Sequence, residues 1–414
     1  MRPDQALAQG LIDELADSKE EMMSQAKNWI YQAKDFVKPW YLKNFKIPGG
    51  AVQSSVGQQV FPVGISMVNE KSGGHYPAPG QILKCLYEGL QLPFDQAVNL
   101  DARSFAELAV CRETKNMIKT LFFGINACNK GLNLPCEPTK EEPQKIGVLG
   151  AGLMGTGIAY VTACSGLAVV LKDLSKELAQ KGYEIIRQML AKEVEKNRIS
   201  SGRSSEILSL ISVASETSPL SECDLVIETV VEDAAIKGKV IQEVDAVLKP
   251  NAIFASNTST LAISGLAKNS QRAQNFIGLH FFSPVDKMPL VEVILGQKTS
   301  PQVLAFCMNY LKKIKKTPIV VNDGHGFFTS RCFMTYIEEG MACLHDGISP
   351  ALIENAGRAC GMAMGPLAAA DSVGLDVVYH VLGQAKQILG ASSVPEFMET
   401  ISDLFYKKLG RLGR

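Results

Sequence analysis

The chain carries eight short runs of apolar, often β-branched residues, separated by segments of helical character. In chain order they are KIGVLG, AVVLKD, LISVAS, CDLVIETVV, NAIFASN, NFIGLHF, PLVEVIL and TPIVVND, and all lie between residues 143 and 323. Runs of this length are typical of buried strands, and the helices between them supply the crossovers that parallel strands require. The pattern predicts an α/β fold in which helices cover a mostly parallel sheet.

Helical patterns fill both ends of the chain. Residues 1–142 are mostly helical in periodicity, with glycine- and proline-bearing breaks, and the last break, at residues 134–143, has the composition of a linker. Residues 324–414 predict helices separated by glycine and proline, and therefore a separate all-α domain. Between the second and third strand runs, residues 176–211 are longer than a crossover requires. They predict a helical hairpin that projects from the sheet.

The composition is that of a folded protein with more than one domain. The 414 residues are 46% hydrophobic and 20% charged, and lysine plus arginine equals aspartate plus glutamate at 42 each. Balanced charge gives no overall field toward nucleic acid or an anionic membrane, so we expect neither partner.

No segment has the roughly 20 consecutive apolar residues of a membrane span, and the charged N-terminus does not predict a secretory signal. The ten cysteines lack metal-like spacing and fit a reducing compartment, so no metal is expected.

The first strand run leads into the glycine-rich turn Gly150-Ala151-Gly152-Leu153-Met154-Gly155. Between a strand and a helix this pattern favours dinucleotide binding. The first glycine permits the tight turn, the second lets the backbone approach a pyrophosphate, and the third lets helix and strand pack. An isolated turn of this kind could equally bind nothing. We place the predicted cofactor contacts on Gly150, Gly152, Leu153, Met154 and Gly155.

The second strand run ends in Asp173, 18 residues beyond Gly155. A carboxylate at this point can bond the ribose hydroxyls of an adenosine and repel a 2′-phosphate. Together with the glycine turn it predicts a Rossmann-type, doubly wound domain that binds NAD rather than NADP. The alternative is that Asp173 only marks the start of the helix after Ser175.

Four motifs occur in a specific order: GVLGAGLMGTGIAYV, VIETVVEDAAIK, FASNTSTL and IGLHFFSPVDKMPLVEVI. With them the chain resembles, from Lys145 to Arg414, the 3-hydroxyacyl-CoA dehydrogenase region of multifunctional fatty-acid β-oxidation proteins. The resemblance implies an NAD-binding Rossmann domain over residues 143–323 and a helical dehydrogenase domain over residues 324–414.

The preceding segment resembles other parts of the same multifunctional proteins. The stretch HYPAPGQILKCLYEGLQLPFDQAVNLDARSFAEL is similar to their connector, so residues 41–142 are interpreted as a helical linker. Residues 1–40 resemble the tail of their enoyl-CoA hydratase domain. We therefore expect this chain to lack most of that domain, and with it the paired carboxylates of the hydratase site.

The resemblance implies oxidation of an L-3-hydroxyacyl-CoA to the 3-ketoacyl-CoA, with hydride passing to NAD. His280 would be the base, since a neutral imidazole can take the hydroxyl proton as the hydride leaves. Glu292 would orient it, because GLHFF and LVEVI are strand-like runs joined by a turn, and their side chains can meet across neighbouring strands. Taken alone, His280 could be a core histidine satisfied by the backbone, and Glu292 an edge residue facing water.

The motif SNTSTL places Ser259 at the carboxyl end of a predicted parallel strand, where ligands collect in open α/β sheets. By resemblance its hydroxyl contacts the substrate oxygen and the nicotinamide, although it could also cap the following helix. The resemblance further assigns cofactor contacts to Val231, Glu232 and Lys237. Without it, the acid and the base of VVEDAAIK would be interpreted as solvated surface near a helix start.

Two positions depart from the family pattern. Family members usually carry asparagine where this chain has Ser330 in GFFTSR, and commonly another where it has Ser283 in HFFSP. We expect Ser330 to act in catalysis and Ser283 to contact the cofactor. Because serine lacks the reach of the amide, substrate orientation at Ser330 would depend on water or on Thr329. The structural alternative for Ser330 is a small residue where two helices approach.

Three functional classes follow. The first is a working L-3-hydroxyacyl-CoA dehydrogenase that binds NAD and an acyl-CoA substrate. The second is a fragment of a bifunctional hydratase/dehydrogenase that acts only with the missing N-terminal core, and the third is a non-catalytic NAD- or acyl-CoA-binding subunit.

The chain stops where the family continues into a second helical repeat. We therefore expect a homodimer, association with a thiolase subunit, or an exposed apolar face on residues 330–405. The expected location is the bacterial cytoplasm, or the peroxisome or mitochondrial matrix of a eukaryote.

Overall fold

The structure, a computed structural model, describes residues 2–33, 37–132, 134–135, 139 and 141–374, together with positions 383, 386 and 390. The chain forms two compact units, residues 1–115 and residues 116–414. The predicted C-terminal domain beyond residue 374 lies almost entirely outside the described residues. The assignment of the chain to a hydratase tail, a linker and two dehydrogenase domains stays a prediction.

The first unit is built from helices joined by turns and longer loops. Ser54 accepts a hydrogen bond from Gly57 N and so caps the start of one of them. Ring contacts join elements that are distant in sequence, such as Phe61 and Tyr87, whose centroids are 5.2 Å apart. Its elements are α1 Pro3–Ala8, α2 Lys19–Gln32, the 3-10 helix Pro39–Tyr41, α3 Ser55–Ser72, α4 Pro77–Gly89 and α5 Phe94–Val110, followed by α6 Arg112–Met117 at the boundary.

The second unit contains an eight-stranded sheet. In chain order its strands are β1 Lys145–Leu149, β2 Ala168–Lys172, β3 Ile211–Ala214, β4 Leu225–Glu228, β5 Ile253–Ser256, β6 Phe276–Phe281, β7 Leu290–Leu295 and β8 Thr317–Asn322. They lie in the order β3-β2-β1-β4-β5-β6-β7-β8, and all neighbours are parallel except β6 and β7. Each of the eight predicted runs forms a strand, which confirms the predicted α/β class.

In the described part of the second unit, helices precede β1 and follow most of the strands. They are the π-helix Ile118–Gly124, α7 Ile125–Lys130, α8 Leu153–Cys164, α9 Lys176–Glu195, α10 Ser201–Ser209, α11 Ala234–Asp245, α12 Ile263–Leu266, α13 Pro301–Lys313, α14 Thr329–His345, α15 Pro350–Ala359 and α16 Pro366–Val373. Short 3-10 helices lie at Ser218–Glu222, Ala267–Asn269 and Ala273–Asn275.

The sheet separates two apolar cores. One is formed with α8, α9, α10 and α13 and contains the fully buried side chains of Ile158, Ile186 and Leu311. The other is formed with α11 and α12 and contains Ile241 and Ile263. Helices on both faces make the arrangement doubly wound, so the predicted Rossmann-type fold is confirmed.

The helical pair α9 and α10 differs in one respect from the prediction. It forms the expected hairpin, but α9 packs on β2 and β3 instead of projecting from the sheet. The buried residues of α9 are spaced three or four apart and give it an apolar stripe, which requires a covering partner. They are Ala179, Gly182, Ile186 and Leu190.

Residues 116–142, predicted to belong to the linker, are part of the second unit. α7 packs on β8. The side chain of Asn309 donates hydrogen bonds to the carbonyl oxygens of Thr139 and Glu141 at 2.9 and 3.0 Å.

The helices after β8 pack on one another, which confirms a helical C-terminal domain. In the described part of residues 330–405, several apolar side chains are exposed, namely Phe333, Leu352, Met362, Met364 and Val373. The remainder of that predicted apolar face lies outside the described residues. Among the described helices, none has both the length and the apolar character needed to cross a membrane.

Candidate active site

The glycine turn after β1 places its three glycines in three different environments. Gly150 has a φ of +92°, a left-handed conformation that glycine adopts readily. A Cβ on Gly152 would meet no atom within 4 Å, so this backbone is open to a ligand. A Cβ on Gly155 would lie 1.8 Å from the carbonyl oxygen of Gly150, so only glycine lets α8 approach β1 this closely. A dinucleotide-binding turn requires these environments.

The first turn of α8 leaves its backbone N–H groups available. Gly152 precedes the helix, and no side chain caps it. Uncapped N–H groups at a helix N-terminus favour an anion such as a pyrophosphate. The side chain of Leu153 is 76% exposed, whereas Met154 packs against the core. Of these two side chains, Leu153 is therefore the more open to a ligand, and Met154 is half-buried.

Asp173 lies immediately after β2 and is bonded to the glycine turn. Its Oδ2 accepts a hydrogen bond from Ala151 N at 2.6 Å, and its Oδ1 accepts one from Leu174 N at 2.6 Å. The helix that follows is capped instead by Ser175, whose hydroxyl accepts from Leu178 N. The carboxylate is therefore not a helix cap. It is held beside the turn with lone pairs that a ribose hydroxyl can use.

Further side chains complete this end of the sheet. The hydroxyl of Thr229, after β4, donates to the carbonyl oxygen of Leu149 at 2.8 Å and so braces the glycine turn. Three apolar residues are exposed here, Leu153 in the turn, Leu174 two residues after β2 and Val231 three residues after β4. Apolar surface beside uncapped N–H groups is suited to the rings and phosphates of a nucleotide. The residues present thus fit a dinucleotide.

His280 and Glu292 face each other across the antiparallel pair β6 and β7. His280 Nδ1 lies 2.6 Å from Glu292 Oε2. The histidine is 7% exposed and the glutamate is fully buried. Because an ionised carboxylate only accepts, Nδ1 carries the proton in the neutral ring and Nε2 keeps a lone pair. The alternatives of a backbone-satisfied histidine and a water-facing glutamate do not describe this pair.

Glu292 also binds the start of α14. Its Oε1 accepts hydrogen bonds from Phe328 N at 3.1 Å and Thr329 N at 2.9 Å, and its Oε2 accepts one from Thr329 Oγ1 at 2.6 Å. Burial raises the pKa of Glu292, but the hydrogen bonds from His280 and Thr329 outweigh burial, so its pKa is lowered from the ordinary value. The carboxylate is ionised at neutral pH and can stabilise a protonated imidazole.

Residues of the loop after β5 donate hydrogen bonds to Glu232. Glu232 Oε1 accepts hydrogen bonds from Thr258 Oγ1 at 2.6 Å, Ser259 N at 2.9 Å and Thr260 N at 3.1 Å. Burial raises the pKa of Glu232, whereas Lys237 and these donors lower it by more, so the net shift is downward. An ionised Glu232 therefore fixes the backbone that carries Ser259.

Lys237 is 1% exposed. Its Nζ donates to Glu228 Oε1 at 2.7 Å and to the carbonyl oxygen of Val230 at 3.1 Å, and it lies 3.3 Å from Glu232 Oε2. Glu228 Oε2 also accepts from Ser256 Oγ at 2.7 Å. An ammonium has three donors, and these contacts use all three. The solvated-surface interpretation of Lys237 is wrong, and direct contact between this lysine and the cofactor stays a prediction.

The predicted serines occupy three separate positions. Ser259 does not cap a helix, because α12 follows Ala262 and its first N–H groups bind the carboxylate of Asp323 at 2.8 Å. Ser330 lies in the first turn of α14, and its Oγ is 3.4 Å from the carbonyl oxygen of Ser259. Ser283 is exposed in the loop between β6 and β7. The start of α14 thus brings Ser259 and Ser330 toward the His280–Glu292 pair.

Several polar residues of this region were not singled out from the sequence. Asn257 Oδ1 accepts from Phe281 N at 2.8 Å and ties the loop after β5 to the strand of His280. Glu228 and Thr229 lie at the end of β4 and hold Lys237 and the glycine turn. A signal was available, because each is a polar residue at the carboxyl end of a predicted parallel strand.

The fold and the site define a dinucleotide-binding domain joined to a helical domain. Residues 145–324 match a family model described as 3-hydroxyacyl-CoA dehydrogenase, NAD binding domain, and residues 326–413 match one described as 3-hydroxyacyl-CoA dehydrogenase, C-terminal domain. The chain belongs to the 3-hydroxyacyl-CoA dehydrogenase family. The matches confirm the resemblance and NAD as the cofactor.

Known relatives agree with this placement. The fatty acid oxidation complex subunit alpha of Shewanella putrefaciens is 33% identical over 379 residues, which cover 91% of this chain and 53% of that protein. The chain therefore spans about half the length of this relative. A solved (S)-3-hydroxybutyryl-CoA dehydrogenase from Ralstonia eutropha has a TM-score of 0.62 at 33% identity and covers 66% of this chain and 96% of its own. The 3-hydroxybutyryl-CoA dehydrogenase of Escherichia coli has a TM-score of 0.62 at 28% identity over 66% of this chain and 58% of its own.

Proposed function

We propose that this chain catalyses the NAD-dependent oxidation of an L-3-hydroxyacyl-CoA to the 3-ketoacyl-CoA in fatty-acid β-oxidation. The observation that carries the proposal is the 2.6 Å contact between His280 Nδ1 and Glu292 Oε2. The pair supplies a base at the same end of the sheet as a turn that fits a dinucleotide, and this reaction needs both. An acyl-CoA substrate is supported by the family and by the names of the solved relatives.

His280 acts as the base. Because Glu292 holds Nδ1–H, Nε2 is free to accept the proton of the substrate hydroxyl. The ionised Glu292 then stabilises the imidazolium, and a charge-assisted hydrogen bond of this kind contributes about 1.5–3 kcal/mol. In the reverse direction the imidazolium returns the proton to the carbonyl oxygen.

Ser259 and Ser330 orient the substrate oxygen. The Ser259 hydroxyl makes a long contact of 3.3 Å with Glu232, and the Ser330 hydroxyl makes one of 3.4 Å with the Ser259 carbonyl oxygen. Both contacts are weak enough for the hydroxyls to turn toward a ligand. Ser330 offers one donor where an asparagine offers two, so we propose that it orients the substrate less tightly than the usual amide.

NAD, when bound, supplies the hydride acceptor. The turn after β1 would hold its pyrophosphate and Asp173 its adenosine ribose, in keeping with the open Gly152 backbone and the position of the Asp173 carboxylate. The proposed contacts are Gly150, Gly152, Leu153, Met154, Gly155, Asp173, Val231, Glu232, Lys237, Ser259 and Ser283.

An assay of the purified chain with acetoacetyl-CoA and NADH tests the proposal. We expect the wild type to oxidise NADH, and His280→Gln to lose about 100-fold or more in kcat because its amide cannot act as a base in this pH range. His345→Gln, at the exposed end of α14, is the matched control and should keep wild-type turnover.

Absence of turnover by the wild type at saturating NADH would overturn the proposal. Persistent NADH binding without turnover would favour a non-catalytic binding subunit. Hydration of crotonyl-CoA by this chain would contradict the expectation that the hydratase site is absent.

The protein partner we propose is a second copy of the chain or a thiolase subunit. The exposed apolar residues on the helices after β8 support such an interface, since large exposed apolar surface marks interaction sites. The Shewanella putrefaciens relative is named as a subunit of a complex. Sedimentation velocity of the full chain, alone and mixed with a thiolase, should show a species heavier than the monomer.

A further inference from the structure

Thr329 is the first residue of α14, and both its backbone and its side chain bind Glu292. Two residues before it lies Phe327, whose φ of +46° is rare for a residue with a side chain. This turn directs the first N–H groups of the helix at the carboxylate. Thr329 N donates to Oε1 at 2.9 Å, and Thr329 Oγ1 donates to Oε2 at 2.6 Å.

The hydroxyl and the imidazole share one acceptor. Thr329 Oγ1 and His280 Nδ1 each lie 2.6 Å from Glu292 Oε2. A carboxylate oxygen that accepts one strong hydrogen bond holds less negative charge for a second donor. The Thr329 hydroxyl also fixes the plane of the carboxylate, which points Oε2 at the ring.

We infer that Thr329 is a positioning residue: its hydroxyl holds Glu292 Oε2 opposite His280 and limits how strongly that oxygen holds the ring proton. The catalytic consequence rests on the proposed dehydrogenase function. Capping of α14 alone does not need the hydroxyl, because the N–H groups of Phe328 and Thr329 already bind Oε1.

The other groups near the pair do not duplicate this effect. Among the described residues, Glu292 is the carboxylate in hydrogen-bond contact with the imidazole. The imidazole contacts the uncharged rings of Phe282 and Phe327. The titratable side chains of the adjoining loops have partners of their own, since Glu232 pairs with Lys237 and His325 Nδ1 lies 3.3 Å from the Thr260 carbonyl oxygen.

The test compares Thr329→Val and Thr329→Ala, which remove the hydroxyl, with Thr329→Ser, which keeps it. The readout is kcat/KM for oxidation of 3-hydroxybutyryl-CoA from about pH 5 to about pH 9. Without the hydroxyl, Glu292 keeps its two backbone donors on Oε1, and its Oε2 holds more negative charge for the ring. Glu292 then binds the imidazolium more strongly, so more alkali is needed to free the base. We expect the acid limb to move up by about 0.5 pH unit, about threefold in proton affinity, in the first two variants and to stay in place in Thr329→Ser.

The His280 ring titration, followed by NMR and assigned with His280→Gln, gives a readout that needs no turnover. If the wild type is inactive, the proposed function is refuted. The same upward movement of the ring titration in Thr329→Val and Thr329→Ala would still support the role of Thr329. An acid limb and a ring titration unchanged in folded Thr329→Val or Thr329→Ala would overturn the inference. Failure of both to fold while Thr329→Ser folds would assign Thr329 a structural role and would overturn it too.

Discussion

At the scale of single residues, Lys237 carries its charge into a buried position between two carboxylates. Glu228 is fully buried and Lys237 is 1% exposed, and Glu232 completes the cluster from the loop side. Removing water from three charges is costly, so each remaining member depends on its partners. This cluster explains why a lysine from a helix start supports the loop of Ser259 without reaching the surface.

Lys237→Met should destabilise the chain by about 3–5 kcal/mol, because it leaves Glu228 buried without its cation. The free energy of urea-induced unfolding measures this effect. Lys239→Met, an exposed position on the same helix, should stay within about 0.5 kcal/mol of the wild type. Equal stability of the two variants would show that the cluster does not stabilise the fold.

Asp173 offers a prediction about cofactor choice. Asp173→Ala removes the proposed ribose acceptor and the charge that would repel a 2′-phosphate, so NADH binding should weaken about tenfold and the preference over NADPH should shrink. Fluorescence titration with both nucleotides measures this ratio. The nearby exposed acid Glu177, changed to alanine, serves as the control. A preference for NADH that Asp173→Ala leaves unchanged would remove this residue from the cofactor site.

At the scale of elements, two glycines of the turn from β1 into α8 allow folding and cofactor binding to be tested separately. A Cβ on Gly155 would stand 1.8 Å from the Gly150 carbonyl oxygen, whereas one on Gly152 would meet open space. Gly155→Ala should therefore lower the melting temperature and abolish NADH binding. Gly152→Ala should keep the melting temperature and lose about tenfold or more in NADH affinity, because its methyl group stands where the pyrophosphate would approach.

Gly265→Ala, at a position where a Cβ also meets no atom within 4 Å, is the control for both measurements. Undiminished NADH affinity in Gly152→Ala would place the pyrophosphate elsewhere. An unchanged melting temperature in Gly155→Ala would contradict the close packing of α8 on β1.

The contact between Glu292 on β7 and the start of α14 should contribute less to the free energy of unfolding at acid pH than at neutral pH. The pKa of Glu292 in the folded chain is below its ordinary value of 4.5, so the ionised carboxylate stabilises the fold above that pH. This contribution is lost as the pH falls through the folded value. The unfolding free energy of the wild type should exceed that of Glu292→Gln above about pH 5.5, and this excess should shrink as the pH falls below about 4.5.

Urea titrations at each pH measure this difference, with Glu216→Gln at an exposed position as the control. A difference that does not shrink below about pH 4.5 would contradict the lowered pKa of Glu292.

At the scale of the whole molecule, the alternation of strand runs and helices was sufficient to predict the sheet. All eight strands lie in predicted runs, because buried parallel strands are apolar throughout and stand out from amphipathic helices. The packing of α9 was not predictable in the same way. Its length suggested a projection, whereas its apolar stripe, with Ile186 and Leu190 buried, packs on β2 and β3.

The same distinction holds for the candidate site, where some features could be predicted from the sequence and others could not. Glycine spacing predicted the turn. The roles of His280 and Glu292 came from the family resemblance, and the two strand-like runs indicated that their side chains could meet. The contacts of Thr329, Asn257 and Lys237 depend on how loops from different strands converge. No single segment encodes that convergence, so these contacts were visible only in the three-dimensional arrangement, although Lys237 and Thr329 had been named from the sequence for other roles.

The central claim is that His280 is the base in a dehydrogenase reaction. Its most direct test is a single-turnover measurement in which enzyme saturated with NADH is mixed with acetoacetyl-CoA, for the wild type and for His280→Gln. We predict equal NADH binding and a rate of NADH oxidation at least about 100-fold slower in the variant. Equal single-turnover rates in the two proteins would contradict the claim.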